Sequence, residues 1–141
     1  MRMMKTRRLM ATVLTIVSLF FAALPIQAST STHQWVTLDY FSSSKDSYSR
    51  YGYDVYVNVQ NMAAGSNRSN VYFEVVDAWN GVIDSGTVIP YYDYVNNLQS
   101  GDYYTSREYH FTDYAHPIQV VLYSTNGYGS EGEAYIEWVN P

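Results

Sequence analysis

Between Tyr53 and Gln60 the side chains alternate, with Tyr53, Val55, Val57 and Val59 turned one way and Asp54, Tyr56, Asn58 and Gln60 the other. An extended strand with one dry face and one wet face accounts for that pattern, because successive β-carbons point to opposite sides of a strand. Six more segments share the alternation or are rich in β-branched and aromatic residues: 33–41, 71–79, 82–89, 102–112, 118–124 and 133–139. Gly, Ser, Asn and Asp cluster between them, and no intervening stretch has a helical period. Seven short strands at this spacing predict an all-β fold, a single antiparallel β-sandwich of immunoglobulin or fibronectin type.

Ahead of this region, Arg2, Lys5, Arg7 and Arg8 precede an uncharged apolar run from Leu9 to Leu24, and Pro25-Ile26-Gln27-Ala28 follows it. A basic stretch, an apolar stretch and a small residue in that order describe a secretory signal peptide over residues 1–28. The apolar run has 16 residues, short of the ~20 that a spanning helix needs. The expectation is a secreted, extracellular protein without membrane insertion after cleavage, with its sandwich domain over residues 29–141.

Charge narrows the partners. All 13 acidic residues lie in 29–141 against four basic ones (Lys45, Arg50, Arg68, Arg107), so the formal charge there is 4 minus 13, or −9. Such a surface repels nucleic acid. The chain has no cysteine, which removes disulfide staples, thiol catalysis and Cys-ligated zinc from consideration. Stability must then come from packing, and the 16 tyrosines with Trp35, Trp79 and Trp138 are the bulkiest material for it.

Asn80-Gly81 is a strong signal for a two-residue hairpin turn. With that turn Trp79 pairs with Val82, and Asp77 stands opposite Asp84. Like charges in that position repel. They are accommodated by reaching into water, by sharing a proton, or by holding Ca²⁺, a hard cation that takes oxygen ligands. Calcium on Asp77 and Asp84 is therefore a candidate site, and solvation is the simpler outcome. His110, Asp113 and His116 have metal-ligand spacing, but turn polarity explains the same residues. Gly127 to Gly132 spells GxGxxG, yet the sequel alternates as a strand where a phosphate loop needs a helix. Asn67-Arg68-Ser69 has the form of a glycosylation sequon.

Tyrosine is the least ordinary feature. In Tyr91-Tyr92-Asp93-Tyr94 and Tyr103-Tyr104 rings sit on adjacent positions, so in extended chain one of each pair points away from the core. Exposed tyrosine is an amphipathic anchor for a partner. The expected function is a non-enzymatic binding domain that recognises a protein or a cell-envelope, cell-surface glycan through Tyr91, Tyr92, Tyr94, Tyr103 and Tyr104, with no cofactor. The alternative is a small secreted effector, an antibacterial protein or a protease inhibitor.

Overall fold

A computed structural model describes residues 29–63, 69–101 and 103–141. Residues 1–28, and with them the signal peptide, lie outside the described residues, as do Asn67 and Arg68 of the sequon. The elements are β1 (Thr30–Leu38), β2 (Ser44–Asp46), β3 (Asp54–Asn61), β4 (Val71–Asp77), β5 (Gly81–Val88), α1 (Tyr91–Val95), β6 (Ser106–Phe111), β7 (Ile118–Ser124) and β8 (Gly132–Asn140). They form two antiparallel four-stranded sheets, ordered β1-β8-β3-β6 and β2-β7-β4-β5.

The pairing is nested. β1 pairs with β8, β2 with β7, β3 with β6 and β4 with β5, and β3 with β8 and β4 with β7 close the sheets. Eight strands in that order are a jelly roll, two interlocked Greek keys. This corrects the expected immunoglobulin or fibronectin arrangement, whose seven strands divide as four and three with a different neighbour order. The extra strand is β2, three exposed residues inside what reads as a serine-rich loop. It has no inward side chain and so leaves no period in the sequence.

Both sheets contribute to one core. Leu38, Val55, Val57, Val59, Ile136 and Trp138 of the first sheet pack with Val71, Phe73, Val75, Ile118, Val120 and Leu122 of the second. Full burial of each such side chain is worth about 1.5–3 kcal/mol. The core is thus mainly valine, isoleucine and leucine, and among the described residues the only fully buried aromatic rings are Phe73 and Trp138. Tyr109, Phe111 and Tyr114 pack against it from the margin. Tyrosine is not the bulk filler that composition suggests. A phenol hydroxyl needs a partner or water, and a valine-lined interior offers neither. The Trp138 indole N–H meets that need by donating to the carbonyl of Ile118 at 3.0 Å. At Gly132 a β-carbon would lie 2.9 Å from Val71 Cγ2, so the sheets meet there because the side chain is absent.

The β4–β5 hairpin departs from the two-residue turn. Ala78, Trp79 and Asn80 form a three-residue turn, Asp77 pairs with Gly81, and a register shift between Val75 and Val76 places Asp84 opposite Val75. Gly81 takes φ +80°, the left-handed region that glycine enters without strain. The expected Asp77–Asp84 pair does not form. The carboxylate of Asp77 accepts from the backbone N–H groups of Trp79 (2.7 Å) and Asn80 (3.0 Å), an Asx turn that stabilises the longer loop.

Candidate functional site

The registers bring the β1–β2, β3–β4, β5–β6 and β7–β8 connections to one end of the domain. Chain direction alone decides this, since every strand neighbours antiparallel partners. A polar network then ties the loops together. The side chains of Asn70 and Gln99 exchange two amide hydrogen bonds of 2.8 Å each, and Gln99 also donates to Asp93 of α1 at 2.8 Å. The Asn70 carbonyl accepts from the hydroxyls of Ser130 (2.6 Å) and Thr125 (3.1 Å) in the β7–β8 connection. Buried Asn61 donates to the carbonyls of Ser69 and Val88, and Gly129 N–H donates to Tyr40 O at 2.7 Å.

On this scaffold lie the five expected tyrosines. Tyr91, Tyr92 and Tyr94 belong to α1, a helix where an extended connection is expected; Pro90 precedes it, a residue whose fixed φ suits the start of a helix. Three tyrosines within four residues of a helix spread around its axis, and all three are exposed. Tyr103 and Tyr104 precede β6 and are exposed too, although the Tyr104 ring carries the Arg107 guanidinium 4.1 Å from its centre. The sequence did not single out Phe41 and Tyr128, which the fold adds from two other connections; they are 87% and 64% exposed. Exposed apolar area gathered at one end in this way is characteristic of interaction surfaces.

The outer face of the β1-β8-β3-β6 sheet is a second aromatic surface. Register sets its rows: His33, Glu137, Tyr56 and His110 in one, and Trp35, Tyr135, Asn58 and Glu108 in the next. Tyr56 stacks on His110 with ring centres 4.1 Å apart, and Tyr135 packs against Trp35 at 4.9 Å. An open depression of about 410 Å³ lies between Tyr56, Glu108, His110, Tyr135 and Glu137. The alternation in β3 already marks Tyr56 and Asn58 as outward. Which strands flank β3 is invisible in the sequence, so the face as a whole is too.

At the opposite end, Asp77 is 1% exposed. Its Oδ2 accepts from Tyr114 Oη (2.8 Å), Asn80 Nδ2 (2.8 Å) and His116 Nδ1 (2.8 Å). A carboxylate only accepts, which puts the proton of His116 on Nδ1. Burial works against the ionised form of Asp77, but the hydrogen bonds from Trp79, Tyr114, His116 and Asn80 outweigh it and hold the carboxyl well below the usual carboxylate range. Burial, together with the same contact to Asp77, pushes the Tyr114 phenol up to about 12. Both oxygens of Asp77 are saturated by donors from the chain, which leaves no lone pair directed at a cation. Among the described residues no three His, Asp or Glu side chains converge on a common point. His110 instead contacts Asp54 at 3.3 Å, away from His116. The glycines 127, 129 and 132 lie in a connection that crosses between sheets and enters β8, with no helix after them.

No protein-family model matches the chain, and no curated protein matches it in sequence. Among the solved structures similar in outline are three. One is from the Bacillus endospore appendages, described as a novel family of disulfide-linked pili; it is 10% identical, the match covers 84% of this chain and 96% of that one, and the TM-score is 0.41. The second is from the capsid of Helicobacter pylori bacteriophage KHP30, at 11% identity, 81% and 93% coverage and a TM-score of 0.47. The third is Aeromonas hydrophila PliG, a periplasmic inhibitor of g-type lysozyme, at 8% identity, 84% and 93% coverage and a TM-score of 0.37. Likeness this distant transfers no residue role. The fold class rests on the strand order itself, and this chain, without cysteine, has no disulfide.

Proposed function

We propose that this is an exported, non-enzymatic binding protein that recognises a macromolecule, a protein or a cell-envelope glycan, through its aromatic loop end. The supporting observation is the convergence there of Tyr91, Tyr92, Tyr94, Tyr103 and Tyr104 with Phe41 and Tyr128, on loops that hydrogen-bond to one another through Asn61, Asn70 and Gln99. Loops held by such a network lose little entropy on binding, and tyrosine offers contact area at the cost of few rotatable bonds. Connections presented at one end of a rigid sandwich are the arrangement in which binding residues are commonly carried on loops.

The basic and apolar stretches of residues 1–28 support export. The saturated hydrogen bonding of Asp77 supports a structural role for this buried carboxylate, in place of acid or base work. The test is affinity capture from envelope and culture fractions with the unaltered protein and with Tyr92→Ser, Tyr94→Ser and Tyr104→Ser combined. The variant is expected to melt within a few degrees of the parent and to lose the captured partner. Retention of the same partner by a folded variant would refute the loop end as the site.

A further inference from the structure

We infer that the outer face of the β1-β8-β3-β6 sheet is a separate docking surface for lysine- and arginine-bearing segments of a basic protein. The argument starts from what the register brings together. Asp54, Glu108, Glu133 and Glu137 all stand on this face, alongside Trp35, Tyr56 and Tyr135. Among the described residues no lysine or arginine shares it: Lys45 is on β2 of the other sheet, Arg107 alternates inward on β6, and Arg50 sits over the Tyr48 and Trp138 rings. The negative field of the face is therefore not neutralised by any neighbouring described cation.

Each carboxylate is held by one oxygen and leaves the other open. Asn58 Nδ2 donates to Glu108 Oε1 (2.8 Å), Gln60 Nε2 to Glu133 Oε1 (3.1 Å), and Tyr135 Oη to Glu137 Oε2 (3.0 Å). Asp54 Oδ1 meets His110 at 3.3 Å. These bonds orient the acids without cancelling their charge, and the second oxygens remain to accept from an incoming ammonium or guanidinium. The acids do not converge, so a single metal ion has no site here. They are distributed across three adjacent strands, β8, β3 and β6, with ~4.8 Å between neighbours, a spacing suited to several cationic side chains at once.

The aromatic rings fit the same ligand. Trp35 is 57% exposed beside Tyr135, and an indole face attracts guanidinium or ammonium groups. A neutral sugar uses ring faces as well, but one face of Tyr56 is already taken by His110. Sugar hydroxyls also donate to open carboxylate oxygens, but a neutral ligand leaves the mutual repulsion of the four acids in place, whereas a cationic segment relieves it. Charge complementarity selects the basic protein segment.

The probes are octa-arginine and octa-lysine, titrated calorimetrically into the purified protein at low and at high salt. Binding is expected to weaken about tenfold or more as the Debye length shortens from ~10 Å to ~3 Å. Glu108→Gln with Glu137→Gln should weaken it about tenfold, and Trp35→Leu about two- to fivefold. Two controls separate this surface from others. Asp46→Asn with Asp84→Asn removes the same formal charge elsewhere and should leave binding within about twofold, and the loop-end serine variant should bind the probes as the parent does. Absence of binding, salt-independent binding, or equal losses in the two charge-matched double variants would each overturn the inference. None of these outcomes touches the loop-end reading, which has its own variant.

Discussion

Replacing Asp77 with alanine should cost this domain about 3–5 kcal/mol, the usual penalty for deleting one member of a buried charged hydrogen-bond network. The figure follows from what loses a partner. Two backbone N–H groups of the β4–β5 turn lose their cap, worth about 1 kcal/mol. The Tyr114 hydroxyl and His116 Nδ1 lose a charged acceptor, at about 1.5–3 kcal/mol for each bond where water does not replace it. Water reaches the half-exposed His116 more readily than Tyr114, which keeps the sum near the middle of the range. Domains of this size are stable by about 5–15 kcal/mol, so the variant should remain folded at low temperature with a much lower urea midpoint. With a urea slope of about 2 kcal/mol per molar the midpoint falls by about 2 M. The pH dependence carries the sharper test. The folded carboxyl titrates below its unfolded value of about 3.9, so below about pH 5 the unfolded state binds more protons. The stabilisation from Asp77 is complete above that range and is lost as pH falls toward the folded-state value. Urea melts between pH 7 and pH 2 should therefore show a steep acid loss in the parent and a shallower one in Asp77→Ala and Asp77→Asn. A loss below about 1 kcal/mol at pH 7, or an acid limb unchanged in both variants, would refute the assignment of Asp77 as the charged centre of this end.

Burial, with carboxylate partners, holds the phenols of Tyr109, Tyr114, Tyr123 and Tyr135 above their ordinary value. Their contribution to stability is present below about pH 10 and is lost as pH rises through the folded values. Phenolate absorbance should show a late-titrating group in the folded protein that merges with the other tyrosines in denaturant, and early titration of every phenol would contradict the burial. Asn61→Ala should cost about 2 kcal/mol by orphaning the carbonyls of Ser69 and Val88. It should also speed proteolysis of the β3–β4 connection, and unchanged cleavage would separate Asn61 from the order of the loop end.

Much of this domain was legible in its sequence. The period of two at Val55, Val57 and Val59 is a local signal, and all three are buried as it requires. The same alternation turned Tyr56 and Asn58 outward before any partner strand was known. The expected segment 118–124 coincides with β7, whose residues Ile118, Val120 and Leu122 are buried at every second position, with Val121 between them covered as well. Signals failed where side chains carried no period. β2 is exposed throughout, and α1 is a single short helix of five residues whose tyrosines read equally well as strand. Asn80-Gly81 marks the turn but not its length, which the buried Asp77 carboxylate sets by capping it from within.

Composition, charge and the inward or outward sense of each strand were settled by the chain alone, since they depend on neighbours one or two residues away. Strand order, the joining of Trp35, Tyr56 and Glu108 into one face, and the assembly of four connections at one end required pairings such as Thr30 with Asn140. Those pairings are selected by the total burial that a whole topology achieves, a property that no window of sequence contains.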